Sequence, residues 1–224
     1  MQLGLTRSPK LLDQYRTPDL LPITVEKLDN PGRVLTLEES ITVISNCLDI
    51  GEERAKAASG KEIIIFLGNT GAGKSTTVNY LAGCKLEKIK KAAIGIKGSG
   101  VIVRVKADSA IPEMMPIGHE KTSKTFLPDI QSDSTFTYCD CPGFLDTRGS
   151  EINIANAVNI RTAIQQAKGL KVLTLINYHS LQAEKGRGLQ ETQKILTGLF
   201  GNEERLEANI ASVILGVTQA MAFG

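Results

Sequence analysis

The spacing of apolar and polar positions changes several times along the chain, and each change marks a predicted strand or helix. Short apolar, largely β-branched runs predict buried strands at residues 62–67, 101–105, 170–176 and 209–217. Two further runs flank a short polar segment and predict an antiparallel hairpin over residues 125–130 and 135–139. Helical spacing, or a stretch without Gly and Pro, predicts helices over residues 37–58, 76–83, 152–167 and 189–200.

The order of these elements predicts an α/β fold, a three-layer sandwich with a mostly parallel sheet. We assign this fold to residues 61–224 and expect ligands at the carboxyl ends of its strands. Residues 1–60 are predicted to be an N-terminal arm followed by an amphipathic helix. The arm, over residues 1–35, is proline-rich without a sustained period. Thr36 and Glu39 form a capping-box pattern at the start of the helix, which we expect to pack on the domain or on a partner.

The residues directly after the first core strand read G-N-T-G-A-G-K-S, from Gly68 to Ser75. They match the phosphate-binding P-loop pattern G-x-x-x-x-G-K-[ST], and the flanking strand and helix supply the context that this pattern requires. Glycines allow backbone angles closed to other residues, so consecutive N–H groups can turn toward phosphate oxygens. The positive end of the following helix also attracts anions. The sequence therefore predicts a nucleotide-binding loop.

Each residue type in this loop has an expected task. The ammonium of Lys74 belongs between the β- and γ-phosphates, the Ser75 hydroxyl on Mg²⁺, and Thr76 near the α-phosphate. The candidate nucleotide-binding residues of this stretch are Gly68, Asn69, Thr70, Gly71, Ala72, Gly73, Lys74, Ser75 and Thr76.

A second group of residues, Asp140-Cys141-Pro142-Gly143, follows the second strand of the predicted hairpin. It therefore lies at the same edge of the predicted sheet as the P-loop. An Asp at this position can reach the Mg²⁺ held by Ser75, and the Gly143 N–H can meet a γ-phosphate oxygen. D-x-x-G alone is a weak signal, but after a strand downstream of a P-loop it strengthens the prediction of a nucleotide site.

The two motifs together, G-N-T-G-A-G-K-S-T and D-C-P-G-F-L-D-T, resemble those of the Ras-like GTPase superfamily. The resemblance is closest to the septin, immunity-associated and chloroplast-import-receptor branch, and it covers residues 62–217. It implies binding of GTP and GDP, a Mg²⁺ ion, and two switch segments that order around the γ-phosphate. It also implies that Gly68, Gly73, Lys74 and Ser75 form the phosphate loop.

The same resemblance assigns the two switches. Asp140 and Gly143 belong to the second switch, and the first switch should supply a threonine to Mg²⁺ just before the hairpin. Thr122 and Thr125 both qualify, and we prefer Thr125 because it adjoins the predicted strand. Ser75, Asp140 and Thr125 are thus the candidate metal ligands, and Lys74 and Thr125 the candidate catalytic residues.

The chain departs from the family pattern in two places. Phe144 occupies the position after Gly143, where Ras-type enzymes soon place a water-orienting glutamine. Slow hydrolysis, or activation by a homodimer across the nucleotide face or by another protein, is the expected consequence. The guanine-reading pattern [NT]-K-x-D is also incomplete, because Gln219 and Met221 replace its Lys and Asp. Recognition of ATP therefore stays open, and we expect the G domain to be incomplete at its C-terminus, with its last core strand exposed or covered by the arm.

Composition changes this picture little. A chain of 224 residues with 42% apolar residues, 22% charged residues and a net charge of +2 is typical of a globular protein, without the basic excess of a nucleic-acid binder. The four cysteines lack disulfide or zinc spacing, so we expect reduced thiols. No stretch approaches the roughly 18 apolar residues of a membrane span, and the first residues lack a secretory apolar block. We expect a cytoplasmic protein, with membrane association left open.

Several other residues were candidates for simpler roles. The lysine-rich residues 85–97 are predicted to form a solvated loop, with an anion-binding patch as the alternative. Arg148 is predicted to be a solvated surface arginine rather than an arginine finger, and Asp146 is another candidate for positioning water. His119 and His179 are interpreted as surface and loop histidines, and Cys141 as a packing residue.

Three functions compete on this evidence. The first is a Mg²⁺-dependent GTP-binding protein that hydrolyses GTP slowly as a conformational or assembly switch. The second is a P-loop ATPase, and the third is a non-catalytic scaffold that uses nucleotide only to assemble.

Overall fold

A computed structural model describes residues 20–95, 99–118, 125–143, 148–182 and 187–220. Seven helices lie in these ranges: α1 (Pro22–Asp29), α2 (Leu37–Ala55), α3 (Lys74–Leu81), α4 (Ser150–Gln166), α5 (Tyr178–Gln182), α6 (Arg187–Phe200) and α7 (Glu203–Ala208). The seven strands of the same ranges are β1 (Glu62–Leu67), β2 (Leu86–Lys90), β3 (Val101–Val105), β4 (Asp129–Ser132), β5 (Thr137–Asp140), β6 (Gly169–Asn177) and β7 (Val213–Thr218). Short 3₁₀ turns cover Lys56–Ala58, Lys91–Ile94 and Ile210–Ser212.

Five strands form one mostly parallel sheet in the order β4-β5-β1-β6-β7. Strand β1 lies at its centre and pairs in parallel with β5 and β6, while β7 pairs in parallel with β6. Only β4 runs antiparallel, as the first strand of the predicted hairpin with β5. Strands β2 and β3 form a separate antiparallel pair. The predicted α/β class with a mostly parallel sheet is confirmed.

The central strand β1 packs on both of its faces, because successive side chains of a strand point to opposite sides. Ile63, Ile65 and Leu67 lie in a buried cluster that includes Ile160 of α4 and Leu196 of α6. On the other face, Phe66 packs with Val78 of α3 and with Tyr138 and Met115. Helices therefore cover both faces of the sheet, an arrangement compatible with a three-layer sandwich.

The N-terminal helix α2 belongs to this same packed unit. Thr36 and Glu39 form the predicted capping box: Thr36 Oγ1 accepts the Glu39 N–H at 3.2 Å, and the Glu39 carboxylate accepts the Thr36 N–H at 2.9 Å. Helix α2 then approaches α4 at Gly51, where a Cβ atom would collide with the Asn159 side chain. Asn159 donates to the Cys47 carbonyl at 2.9 Å, so a buried polar contact joins the two helices. Helix α2 was predicted to pack on the domain or on a partner, and in the structure it packs on the domain.

Three predictions of local structure are wrong within the described residues. The proline-rich arm contains helix α1, because Pro22 occupies the first helical turn, where its missing N–H costs nothing. The lysine-rich segment includes strand β2 and a 3₁₀ turn rather than a loop; Lys88 and Lys90 point to solvent from a strand that pairs with β3. The predicted last strand begins four residues late, at Val213, after a 3₁₀ turn.

The other bounds agree with the sequence to within three residues, except that β4 also starts four residues later than predicted. The hairpin strands are shorter than predicted, β4 starting at Asp129 and β5 at Thr137. Strand β7 forms one edge of the sheet, and its Ile214, Leu215 and Val217 side chains are exposed. The described part of the N-terminal arm, from residue 20, packs on α2 and leaves this strand uncovered.

Candidate functional site

Four parallel strands end at one edge of the sheet, and the predicted P-loop follows the central one. Strand β1 ends at Leu67, β5 at Asp140, β6 at Asn177 and β7 at Thr218. Parallel strands present their carboxyl ends at the same edge, where ligands of α/β sheets bind. The fold therefore brings residues 68–73, Asp140 and the ends of β6 and β7 to one place.

The loop between β1 and α3 has a backbone that only glycine accommodates easily. Gly68, Gly71 and Gly73 have φ angles of 141°, 80° and 85°, in the left-handed half of backbone space. At Gly68 the space is closed as well, because a Cβ atom would collide with the carbonyl oxygen of Leu175 in β6. The Ala72 N–H donates to the Asn69 carbonyl at 3.0 Å and closes a turn within the loop.

Lys74 begins helix α3, and its side chain folds back over the loop. It is 7% exposed, and its Nζ donates to the carbonyls of Gly68 at 2.9 Å and Asn69 at 3.1 Å. The ammonium is thus held at the mouth of the loop. The following N–H groups, at Ser75 and Thr76, lie in the first helical turn, where the helix itself offers no acceptor. A charge of +1 and the positive end of a helix meet at this point, which makes it attractive to an anion.

The second predicted motif lies directly against the loop. A Cβ atom on Gly143 would come within 2.6 Å of the Thr70 backbone nitrogen, so only glycine fits at this distance. The structure therefore places Gly143 beside Thr70, one of the predicted phosphate-binding residues. Its role toward a γ-phosphate remains a prediction.

Two of the three predicted metal ligands donate hydrogen bonds to a carboxylate oxygen of the third. Ser75 Oγ donates to Asp140 Oδ2 at 2.6 Å, and Thr125 Oγ1 donates to the same oxygen at 3.2 Å. Asp140 is 1% exposed, and its other oxygen, Oδ1, has no hydrogen-bond partner within the described ranges. Burial raises the pKa of the Asp140 carboxyl above its ordinary value, while the Lys74 ammonium and the Ser75 hydrogen bond lower it.

These residues fit a magnesium ion in the chemistry of their donors. A buried carboxylate oxygen without a partner is costly unless something compensates it, and hard oxygen ligands are those that Mg²⁺ prefers. In the part of the chain that the structure describes, no group of three or more His, Cys, Asp or Glu side chains could hold a metal. The protein would therefore supply few ligands, as in sites where substrate phosphates complete the Mg²⁺ shell.

Comparisons with known proteins add no relative to this description. No protein-family model, no curated protein and no solved structure matches the chain. Within the described ranges, no helix has both the length and the apolar character that crossing a membrane requires.

Three residues at the ends of β6 and β7 anchor the loop, and the sequence did not predict this role for them. Thr218 Oγ1 donates to the Ala72 carbonyl at 2.8 Å, and Gln219 Nε2 donates to the Gly71 carbonyl at 2.9 Å. Asn177 at the end of β6 donates to Gln219 Oε1 at 2.6 Å. Gln219 has a φ of 55°, an unusual angle for a residue with a side chain. The one signal in the sequence for these anchors was the polar residue at the end of each of two predicted strands.

Other predicted site residues are placed differently or lie elsewhere. Arg148 is wrongly predicted as a surface residue: it is 1% exposed, and its Nη2 donates to the Thr125 carbonyl at 2.7 Å. Thr125 does not adjoin a strand, since β4 begins at Asp129. His179 lies in the short helix α5 instead of a loop, and Cys141 is fully buried, in agreement with a packing role. The candidates that fall outside the described residues are His119, Thr122, Phe144, Asp146 and Met221.

Proposed function

We propose that the protein binds GTP with Mg²⁺ through the loop formed by residues 68–76 and hydrolyses it slowly to GDP, as a conformational or assembly switch. The observation that carries this proposal is the loop itself. Three glycines with positive φ wrap a turn whose mouth holds the Lys74 ammonium, beside a helix N-terminus. This arrangement supports recognition of a polyanionic phosphate chain.

The residues around the loop support a defined division of labour. Lys74 would neutralise charge that develops on the transferred phosphoryl group, and the loop N–H groups would bind its oxygens. Ser75, Asp140 and Thr125 would hold Mg²⁺, which supplies further charge neutralisation when it is bound. Catalysis then rests on positioning and charge stabilisation, and no described side chain is assigned to orient the attacking water. Without a side chain assigned to orient the attacking water, we expect slow turnover.

Adenine is the second candidate base, because Gln219 lies where the family pattern has a guanine-reading residue and does not supply its chemistry. Its amide is engaged on both sides, by the Gly71 carbonyl and by Asn177. Neither Gln219 nor Thr218 offers the carboxylate that accepts the N–H groups of guanine in the family pattern. An ATP-binding protein with the same loop chemistry is therefore the alternative to a GTPase.

Isothermal titration with GTP, GDP and ATP, each with Mg²⁺, tests the proposal directly. Lys74→Ala should weaken triphosphate binding at least about 100-fold, since it removes a cation from several charge-assisted hydrogen bonds. Ser75→Asn should abolish the part of the affinity that depends on Mg²⁺. Lys106→Ala, which removes an exposed lysine away from the loop, is the matched control and should leave binding unchanged.

Two results would contradict the binding part of the proposal, and a third would contradict hydrolysis. If Lys74→Ala binds nucleotide as tightly as the wild-type protein, the loop is not the site. If ATP binds and GTP does not, the guanine assignment fails and the adenine alternative stands. Phosphate release measured over a range of protein concentrations separates the remaining cases: no turnover indicates a scaffold, and a rate per molecule that rises with concentration indicates an enzyme activated by its own dimer.

A further inference from the structure

Three contacts hold Thr125 in the structure: one at its side chain, one at its main chain, and one through the next residue in the chain. Its hydroxyl donates to Asp140 Oδ2 at 3.2 Å, and its carbonyl accepts from Arg148 Nη2 at 2.7 Å. The next residue, Phe126, is 1% exposed and lies in a buried cluster with α2 and α4. A main-chain anchor of this kind determines where the Thr125 hydroxyl can lie relative to Asp140.

Arg148 occupies an unfavourable place for a cation. It is 1% exposed, and it directly precedes Gly149, the N-cap of α4. Burial of a guanidinium is costly without hydrogen bonds, and the positive end of a helix disfavours a nearby cation. An arginine that only began a helix could lie in solvent instead. The hydrogen bond to the Thr125 carbonyl offsets part of that cost and joins the start of α4 to the segment that carries Thr125.

The surroundings of Arg148 also connect it to the N-terminal helix. Burial raises the pKa of the Cys47 thiol in α2 to about 12, and the charges of Arg148 and Arg54 oppose that shift. The Arg54 guanidinium lies over the Phe126 ring, 5.4 Å from its centroid. Arg148 thus lies between α2, the start of α4 and the segment that carries Thr125.

We propose that Arg148 is a positioning residue, which holds the main chain of Thr125 so that the Thr125 hydroxyl stays at the magnesium site beside Asp140. This inference rests on the proposed function. Arg148 acts through Thr125, and the direction of its Nη2 toward a carbonyl separates this role from that of an arginine finger. Loss of Arg148 should therefore lower the preference for triphosphate with Mg²⁺ over diphosphate.

The test is a double-mutant cycle with a selectivity readout. Affinities of the imidodiphosphate analogues of GTP and ATP, and of GDP and ADP, are measured with Mg²⁺ for wild type, Arg148→Met, Thr125→Ala and the double variant. Arg148→Met should lower the triphosphate-to-diphosphate selectivity about tenfold, the size expected for losing one well-placed hydrogen bond. The double variant should lose no more selectivity than Thr125→Ala alone, because both changes remove the same interaction.

A matched control separates positioning from stability. Ile160→Ala creates a cavity in the other buried cluster of α4, which does not include Phe126, so it should lower the melting temperature and leave the selectivity unchanged. If Arg148→Met fails to fold, Arg148→Gln replaces it in the same cycle. Its amide ends two bonds short of the Nη2 position, so it loses the contact with the Thr125 carbonyl while keeping a polar group, and the same loss of selectivity is expected.

Three outcomes overturn the inference, and they are distinguishable. If wild type binds nucleotide but Arg148→Met weakens triphosphate and diphosphate equally, or if its effect adds to that of Thr125→Ala, Arg148 only packs. If wild type shows no Mg²⁺-dependent nucleotide binding at all, the proposed function fails and the positioning role fails with it.

Discussion

At the scale of single residues, the site depends on where side chains are absent as much as on where they are present. Gly68 lies so close to Leu175 that its missing Cβ allows β6 to support the loop, and Gly143 lies equally close to Thr70. The candidate functional groups, Lys74 and Asp140, are buried around these glycines. Small residues thus bring the main chain close enough for a few polar groups to converge.

This close approach gives a prediction for the free energy of unfolding without nucleotide. Gly68→Ala should destabilise the protein by about 3 kcal/mol or more, because it combines backbone strain with a collision against the Leu175 carbonyl. Gly71→Ala is the matched control, since Gly71 has a φ of 80° with no atom within 4 Å of a Cβ. It should cost only the strain, about 1–2 kcal/mol. Equal losses in urea denaturation would refute the close contact with β6.

At the scale of elements, helix α2 shows how a local signal and a tertiary contact act together. Its capping box satisfies N–H groups at its N-terminus, and its buried face, which includes Val43, Cys47 and Ile50, packs against α4 and Phe126. Helices draw most of their stability from such packing rather than from propensity. The cap therefore defines the start of α2, while the cluster determines that α2 belongs to the domain.

The cap can be tested by comparing two threonines of the same element. Thr36→Ala should destabilise the protein by about 1 kcal/mol, because the Glu39 N–H loses its acceptor. Thr42→Ala, at an exposed position inside α2, should change the free energy of unfolding by less than about 0.5 kcal/mol. Thermal and chemical denaturation measure both. A Thr36→Ala protein as stable as Thr42→Ala would mean that the cap does not contribute.

At the scale of the whole molecule, contact between distant parts of the chain builds both the core and the site. Residues 75 and 140 meet in one hydrogen bond, as do residues 72 and 218. The N-terminal helices reach the same region through α4 and the segment after Thr125. The packing of α2 on α4 should therefore matter for stability even though α2 lies outside the P-loop motif.

Glycines at two helix positions test this packing. Gly51→Ala should destabilise the protein by about 1–3 kcal/mol, because its Cβ meets the Asn159 side chain, which is 2% exposed and bonded to Cys47. Gly198→Ala in α6 has open space around its Cβ and should stabilise by about 0.5–1 kcal/mol, as expected for alanine in a helix. If both substitutions stabilise the protein, α2 and α4 do not approach as closely as described.

The sequence by itself determined what depends on neighbours along the chain. The capping box at Thr36 and the apolar runs of β1 and β6 are local patterns, and each forms where it was predicted. The three glycines of the loop adopt the positive φ angles that glycine permits, and phosphate binding by that loop stays a prediction. Local physics also explains the failure at α1, where prolines suggested an extended arm although one of them begins a helix. The prediction of a loop at β2 failed for a non-local reason. Its charged residues suggested a solvated loop, but the segment pairs with β3 as a strand.

The two motifs predicted that Ser75, Thr125 and Asp140 meet, and the structure brings them together. Only the tertiary structure decided which further residues share the site. The order β5-β1-β6-β7 brings the ends of four strands together, and this order depends on packing and on the crossover helices rather than on any short pattern. Arg148 was assigned to the surface because an isolated arginine is usually solvated, yet the fold buries it against Thr125. In the sequence Gln219 is only a departure from the guanine-reading pattern, whereas the pairing of β7 with β6 brings its side chain to the loop. Burial and proximity are properties of the folded chain, which is why these roles emerged only from the structure.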